Sequence, residues 1–206
     1  MKDLDALASQ YTKNLEEHVQ KYWTKLYQTP KDKNPALDPD GSNHDVDTDP
    51  VYCACDMTGK GEPVTRTLNI SADKSIFIPV NDVGVSDREH PGEDANGLKK
   101  QAREDEDNAT KVKLTIDHDD FDLQDFKNKK FRIRNPIGPF EVVIPTDPID
   151  GLEPPGPAMM VADGYYVIIK PLPPGDHTIR IEAGVSKQHK KSGPWYEDVT
   201  YKIHVT

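Results

Sequence analysis

Apolar residues recur with the period of an α-helix near the start of the chain. The steps between them are four, three, four, four, three and four residues, which places them on one stripe of a helix. The stripe consists of Leu4, Ala8, Tyr11, Leu15, Val19, Tyr22 and Leu26. Pro30 follows and cannot continue a helix. The pattern predicts one amphipathic helix over residues 3–28 that packs on the body of the protein; a partner-binding or coiled-coil seam is the alternative.

From residue 51 onward the period changes to two, which is typical of half-buried strands. Segments rich in Val, Ile, Thr and aromatic residues are bounded by Gly, Pro or Asp. The predicted strands are 51–56, 63–70, 74–83, 111–117, 130–134, 140–144, 165–170, 177–183 and 199–205. Residues 171–175, PLPPG, predict a tight hairpin turn. A short charged helix is predicted over 98–109, and a long Pro-rich loop over 145–163.

The order of these elements predicts the fold class. About nine short strands without strand–helix–strand alternation favour a mainly β protein, an antiparallel β-sandwich of the jelly-roll type, over a parallel α/β sheet. The expected organisation is an N-terminal helix (1–28), an acidic loop rich in Pro and Asp (29–50) and a single β-sandwich domain (51–206). The short charged helix is an insertion within that domain.

Composition narrows the choice of partners. The 206 residues carry a formal net charge of −10, which argues against nucleic acid because phosphate binding needs a basic surface. No apolar run reaches the length of a membrane span, and the N-terminus lacks the apolar stretch of a secretory signal. Two cysteines exclude a disulfide-stapled scaffold. We expect a secreted or envelope-associated protein if Met1 is not the natural start, and otherwise a cytoplasmic one.

Several segments resemble a widespread bacterial and archaeal family of uncharacterised proteins. They are ADGYYVIIKPLPPGDHTIRIEAG (162–184), DVTYKIHV (198–205), TRTLNISADKSIFIPV (65–80) and KDKNPALDPDG (31–41). Trp23 fits the family's Trp-containing helix. The resemblance implies a β-sandwich that is secreted or envelope-associated in many members, and it implies no activity and no functional residue. Cys53 and Cys55 depart from the apolar residues expected at their positions.

The segment DPDGSNHDVDTD, residues 38–49, carries the most specific local signal. Short Asp-rich loops with a Gly turn supply the oxygen ligands that Ca²⁺ prefers. The candidate ligands are Asp38, Asp40, Asp45, Asp47 and Asp49, grouped around Gly41. The spacing differs from an EF-hand loop, because Gly stands fourth rather than sixth and no Glu stands twelfth. A solvated acidic loop, in which the aspartates favour turns, is the competing interpretation.

The cysteines and a second acidic cluster have two interpretations each. Two residues apart on a strand, Cys53 and Cys55 could ligate a soft metal or form a redox pair. Burial of both as small apolar residues facing one core is favoured. The cluster Asp117–Asp120, which includes His118, resembles a metal or acid–base site. It also stands where one strand should turn back, and we interpret it as a turn.

Aromatic and charged residues in the second half could contact a ligand. Tyr165 and Tyr166 are adjacent, so they should point to opposite faces of a sheet, with at least one in the core. Trp195 and Tyr196 offer ring faces for a sugar or a peptide, although packing is favoured. The basic run 187–191, KQHKK, is interpreted as a solvated loop tip, and the run 103–107, REDED, as a solvated helix face.

These observations lead to three hypotheses about function. The leading one is a non-catalytic β-sandwich that binds a protein or glycan through loops at one end, with an acidic loop able to hold calcium. The sequence contains no recognisable catalytic motif, so an enzyme is disfavoured. The first alternative is a jelly-roll metal-dependent enzyme, in which His and carboxylate side chains would converge in a pocket and have shifted pKa values. The second is a self-assembling envelope protein that uses the N-terminal helix or a strand edge.

Overall fold

Two β-sheets packed together form the body of the protein in the computed structural model, which describes residues 4–8, 14–57, 61–125, 129–149, 154–186 and 194–206. The strands are β1 (Val51–Tyr52), β2 (Val64–Ile70), β3 (Ile76–Ser86), β4 (Ala109–Ile116), β5 (Asp119–Asp122), β6 (Ile137–Ile144), β7 (Gly156–Ile169), β8 (Gly175–Val185) and β9 (Trp195–Val205). The helices are α1 (Leu4–Leu7), α2 (Leu15–Gln28) and α3 (Ala95–Asp107), with short 3-10 turns at Lys31–Lys33, Pro35–Leu37 and Lys129–Phe131. The predicted mainly β sandwich is confirmed.

The strand order defines the two sheets. Sheet A has the order β1–β3–β7–β6, and sheet B has the order β2–β9–β8–β4–β5. Pairing inside both sheets is antiparallel, as expected. At two edges it is parallel, between β1 and β3 and between β2 and β9. Between the two strands of each parallel pair, the chain passes through the other sheet. The second strand can therefore run in the same direction as the first.

Alternating burial in the strands builds the core between the sheets. In β9 every second residue is buried, and the same alternation runs through β2. The apolar residues of this core from the two sheets include Leu68, Ile76, Ile78, Val167, Ile179, Ile181, Val199 and Ile203. Burial of apolar area at roughly 25 cal/mol per Å² makes this cluster a main source of stability.

Helix α2 covers the outer face of sheet A. Its buried residues include Tyr22, Trp23 and Leu26, which pack in one cluster with Phe77 of β3. The Trp23 indole N–H donates a hydrogen bond of 3.1 Å to the hydroxyl of Tyr166 in β7. The stripe of α2 therefore faces the sheet, so these positions are not available for a coiled-coil seam.

The N-terminal region departs from the single helix predicted over 3–28. Helix α1 ends at Leu7, and Ala8 forms an antiparallel β-bridge with Ile169 of β7. Residues 9–13, which include the predicted stripe residue Tyr11, lie outside the described residues. Leu4 and Ala8 belong to the core between the sheets, whereas the buried α2 residues lie on the outer face of sheet A. One helical stripe therefore serves two different surfaces.

Helix α3 covers the inner face of sheet A where sheet B does not reach. Leu98 and Ala102 pack there on Val85 and Val161. The interpretation of residues 103–107 as a solvated face is wrong for part of this run, because Asp105 and Glu106 are buried. Glu106 accepts a hydrogen bond of 2.7 Å from the Asn81 amide, and Arg103 lies 3.0 Å from Asp163. Glu106 and Arg103 therefore contact polar groups of sheet A rather than solvent alone.

Three other sequence predictions differ from the structure. Residues 171–175 connect β7 of sheet A to β8 of sheet B, so they form a crossing between sheets rather than a hairpin. The predicted strand 130–134 is a 3-10 turn followed by a single bridge from Arg132 to Tyr165. The predicted loop 145–163 ends earlier, because β7 begins at Gly156. Alternation identifies strands but does not specify which sheet a strand joins.

Candidate functional site

The acidic loop after α2 is folded around the carboxylate of Asp38. This carboxylate is buried and accepts hydrogen bonds from the backbone N–H groups of Asn43 (2.8 Å) and Asp40 (3.1 Å). Burial opposes ionisation of Asp38, but these backbone donors and His44 outweigh it and lower the pKa of the carboxyl to about 2. The ionised side chain fixes the turn at Gly41, whose left-handed φ of 103° and close approach to β2 suit only glycine.

Three of the other four predicted calcium ligands are used in local turns and in contacts with neighbouring elements. Asp40 and Asp45 each accept a hydrogen bond from the backbone N–H two residues later, at 3.0 Å and 3.2 Å. Asp49 accepts the N–H of Ser75 at 3.0 Å, and Asp47 is exposed. Within the ranges that the structure describes, no group of three or more His, Cys, Asp or Glu residues could hold a metal ion. The calcium hypothesis therefore gains no support from the loop.

A buried arginine connects the loop to sheet B and to the segment after β1. Arg66 of β2 is fully buried and donates from Nε to the carbonyl of Asp38 at 2.8 Å. Its Nη1 donates to the carbonyl of Ala54 at 2.7 Å and to the hydroxyl of Tyr201 at 2.8 Å. Its Nη2 reaches the carbonyl of Ala36 at 3.2 Å. One guanidinium thus satisfies the backbone of the loop, of the segment after β1 and a side chain of β9.

His44 completes this cluster. Its Nδ1 lies 3.2 Å from a carboxylate oxygen of Asp38, and its Nε2 lies 3.0 Å from the Tyr201 hydroxyl. Burial and the positive charge of Arg66 lower the pKa of His44 to about 4, against the opposing effect of Asp38. The imidazole is therefore neutral at neutral pH, and both ring nitrogens are engaged within the protein. We call Asp38, His44, Arg66 and Tyr201 the Arg66 network.

A cleft lies between α2 and the acidic loop, with His44 of the Arg66 network in its wall. Its volume is about 380 Å³, within the range of ~300–1,000 Å³ typical of small-ligand pockets. We call it the α2–loop cleft. The side chains that matter for its chemistry are Lys21, Tyr22 and Lys25 from α2, Asp45 and Asp49 from the loop, and Tyr52 from β1.

Aromatic rings form one wall of the α2–loop cleft. The Tyr52 ring is half-buried and lies 6.5 Å from the Tyr22 ring, at an interplanar angle of 12°. Phe77 supports Tyr52 from 5.2 Å, and the Tyr52 hydroxyl lies 3.0 Å from Nδ1 of His18. Contacts on several sides hold the Tyr52 ring, so it presents a fixed, partly exposed apolar surface to the cleft.

Charges of both signs surround the same cleft. Lys25 lies 3.1 Å from Asp45, and Lys21 lies 2.6 Å from Glu17 one turn away on α2. The lining residues Lys21, Lys25, Asp45 and Asp49 sum to a formal charge of zero, since His44 is neutral. Exposed ion pairs contribute only ~0–1 kcal/mol to stability. A ligand with hydroxyl groups can therefore replace these ion pairs with its own hydrogen bonds at little cost in free energy.

The two cysteines are buried free thiols. Burial raises the pKa of the Cys53 thiol to about 12 and that of Cys55 well above its usual range. Their predicted burial is confirmed, but the expectation that they face one core is wrong. Cys53 belongs to the core between the sheets and Cys55 to the cluster under α2. Strand β1 ends at Tyr52, so strand alternation does not apply to them.

The turn interpretation of Asp117–Asp120 is confirmed. Asp117 has a left-handed φ of 54° between β4 and β5, and its carboxylate accepts the Thr178 N–H at 3.0 Å. Tyr165 and Tyr166 occupy opposite faces of sheet A, as predicted, and both are buried. The basic run 187–191 lies outside the described residues.

Sequence reasoning missed the Arg66 network as a unit, although the pattern contained a signal for one member. Arg66 shares the alternation phase of Leu68 and Ile70, so the same pattern that buries them also buries its guanidinium. An inward-facing Arg needs several acceptors, which the sequence does not identify. The cleft itself had no signal, because α2 and the loop meet only in the folded chain.

Comparison with known proteins adds no relative. The chain matches no protein-family model, no curated protein and no solved structure. The resemblance of residues 162–184 and 198–205 to an uncharacterised family therefore stays a prediction. No helix in the described part of the chain is both long and apolar enough to cross a membrane.

Proposed function

We propose that the protein is a non-catalytic binding module and that the α2–loop cleft is its ligand site. The observation that supports this most directly is the composition of the cleft wall. It combines the half-buried ring of Tyr52 with two carboxylates, two ammonium groups and no net charge. Ligand sites of this size place a few polar groups around an apolar surface, and this cleft follows that description.

The same composition favours a neutral, polyhydroxylated ligand, such as one or two sugar units of a glycan. The apolar face of a sugar ring can pack on the Tyr52 ring. Asp45 and Asp49 can accept hydrogen bonds from sugar hydroxyls, and Lys21 and Lys25 can donate to them. A strongly charged ligand would leave half of these groups without a partner, because the lining charges balance.

His44 bears on the alternative hypothesis of a metal-dependent enzyme. The shifted pKa values of His44 and Asp38 at a cleft would suit a catalytic site. However, both imidazole nitrogens are bonded within the Arg66 network. A general base needs a free nitrogen within reach of its substrate. We therefore propose that His44 stiffens the wall of the cleft rather than performing chemistry.

A glycan array followed by calorimetry tests the proposal. We expect a saccharide to bind with a micromolar-to-millimolar dissociation constant, and Tyr52→Ala to weaken binding at least tenfold. Tyr52→Phe should bind normally, because it retains the ring. Tyr196→Ala is the matched control, since Tyr196 is 47% exposed and is not part of the cleft. No binding of any saccharide, or equal binding by Tyr52→Ala, would overturn the proposal.

Lysines provide a second matched pair. Lys21 and Lys100 each form an exposed ion pair with a Glu one turn away, at 2.6 Å and 3.8 Å, but only Lys21 lines the cleft. Lys21→Ala should weaken saccharide binding, and Lys100→Ala should not. Equal effects of the two substitutions would show that the signal reflects overall charge rather than the cleft.

A further inference from the structure

A carboxylate without a hydrogen-bond partner lies beneath α2. Asp82 stands opposite Gly164 in the pairing of β3 with β7. The Asp82 side chain lies on the outer face of sheet A. On the same face, the Trp23 ring of α2 covers the Cα of Gly84. Both carboxylate oxygens of Asp82 are buried, and no donor among the described residues meets them in hydrogen-bond geometry. The nearby Tyr166 hydroxyl donates instead to the carbonyl of Asp163, at 3.3 Å. A buried ionised carboxylate in this position would lack compensation.

The groups that face Asp82 do not supply a positive charge. Those on the α2 side of sheet A are Tyr22 and Tyr27 of α2, Cys55 of the segment after β1, and Tyr166 of β7. Glu106 of α3 and Glu197 of β9 also interact electrostatically with Asp82, but from the inner face of sheet A and from sheet B. Burial raises the pKa of Asp82 to about 8, against a smaller opposing contribution from the Tyr166 hydroxyl. At neutral pH most molecules therefore hold Asp82 protonated.

Helix α2 is the element that can separate from sheet A when Asp82 ionises. Strand β3 is hydrogen-bonded to β7 along most of its length, whereas α2 is held on the sheet by side-chain packing and by single side-chain hydrogen bonds from Trp23 and Tyr27. Separation of a packed helix costs less than the opening of a central strand. Tyr22 of α2 interacts electrostatically with Asp82 and also lines the α2–loop cleft.

We propose that α2 is a proton-controlled wall of the α2–loop cleft, which separates from sheet A to admit water when Asp82 loses its proton. Protonated Asp82 keeps the helix seated and the cleft closed on its α2 side. Any effect of this separation on ligand binding depends on the proposed function of the cleft. The separation of the helix itself does not.

The direction of the pH dependence follows from linkage. In the separated state Asp82 regains its usual pKa of 3.8, against about 8 when α2 is seated. The equilibrium for separation therefore rises by up to about tenfold per pH unit between the two pKa values and is level above the higher one. His18 on α2 acts in the opposite sense, because burial lowers its pKa and separation would favour its protonation at acid pH.

Hydrogen exchange on the full chain tests this inference. Opening constants of the α2 amides, corrected for the intrinsic pH dependence of exchange, should rise at least tenfold from about pH 6 to about pH 8 and then level off. In Asp82→Asn the rise should vanish. Glu106→Gln is the matched control, since Glu106 is buried under α3, and the α2 rise should persist there. A flat wild-type profile, or the same rise in Asp82→Asn, would overturn the inference.

A second readout covers the case in which Asp82→Asn does not fold. In a Trp195→Phe background, Trp23 is the remaining tryptophan of the chain. Its emission should shift to longer wavelength as pH rises toward 8, because separation of α2 exposes the indole to water. An unchanged emission across this range would contradict the inference. If no saccharide binds but exchange depends on pH as expected, the proposed function fails and the helix inference stands.

Discussion

Arg66 donates a hydrogen bond of 2.8 Å from Nη1 to the hydroxyl of Tyr201, and the two residues are direct partners in the parallel pair of β2 and β9. The guanidinium also lies 5.7 Å from the centre of the Tyr201 ring. Both side chains are fully buried. The Tyr201 hydroxyl in turn donates to the carbonyl of Ala54 at 2.5 Å. The edge strand β2 is therefore held to the loop and to the cleft wall by polar contacts within the core.

Removal of the Arg66 guanidinium should be strongly destabilising. Arg66→Leu removes the hydrogen bonds of the guanidinium to the carbonyls of Ala36, Asp38 and Ala54, and each hydrogen bond to a charged group contributes about 1.5–3 kcal/mol. We expect a loss of roughly 3 kcal/mol or more in the free energy of unfolding, measured with urea.

Arg88→Leu provides the control for this substitution. Arg88 donates one hydrogen bond, of 2.6 Å, to the carbonyl of Pro157 at an exposed position. Its loss should cost less than about 1 kcal/mol. Similar losses for the two arginines would contradict a central role of the Arg66 network.

The His44 imidazole should make the protein less stable in mild acid. In the unfolded chain His44 has a pKa near 6.5, and in the folded protein about 4. The unfolded state therefore binds the extra proton first, and stability falls as pH drops from about 6.5 to about 4, by roughly 3 kcal/mol. Asp38, with a folded pKa of about 2, adds a further loss below its usual value of 3.8.

Urea unfolding at several pH values measures this slope. His44→Gln should lose the part between about pH 6.5 and about pH 4, because the titrating group is gone. His204→Gln is the control, since His204 pairs with Asp176 on the surface and has a side chain 52% exposed. The hypothesis fails if the slope survives in His44→Gln.

The sandwich could be predicted from sequence because its signal is local. Alternation in β2 and β9 repeats every second residue, and burial of one face follows from it. The covering helix was also predictable, since the Val19, Tyr22 and Leu26 stripe has helical spacing. Sheet membership was not, because the turn 171–175 is equally compatible with a hairpin and with a crossing between sheets.

The candidate site could not be predicted because its contacts join distant parts of the chain. His44 and Tyr201 meet across a sequence separation of 157 residues, and no local pattern encodes that contact. The contacts of the aspartates of 38–49 could not be predicted either. Their type suits calcium, but the side chains of Asp38, Asp40 and Asp45 accept hydrogen bonds from backbone N–H groups close to them in the chain.

The two thiols should be unreactive in the native protein. Burial raises the pKa of both Cys53 and Cys55, so little thiolate is present at pH 7 and access is blocked. With 5,5′-dithiobis(2-nitrobenzoic acid) we expect less than ~0.1 thiol per chain to react within minutes at pH 7, and both to react in urea. Cys53→Ala and Cys55→Ala identify each signal. A rapidly reacting native thiol at pH 7 would contradict this burial.

A methyl group at Gly84 should disturb the contact between α2 and sheet A. An added Cβ would lie 2.7 Å from the Trp23 ring and 2.2 Å from the end of Met160. Met160 can move, but the Trp23 ring is held by its hydrogen bond to Tyr166. Gly84→Ala should therefore cost about 1–3 kcal/mol of stability, as overpacking does. In Gly97→Ala the nearest atom is the flexible carboxylate of Glu93, and helix α3 should gain about 0.5–1 kcal/mol. Thermal unfolding of both variants checks the pair, and a stabilised Gly84→Ala would show that α2 is not tightly seated on the sheet.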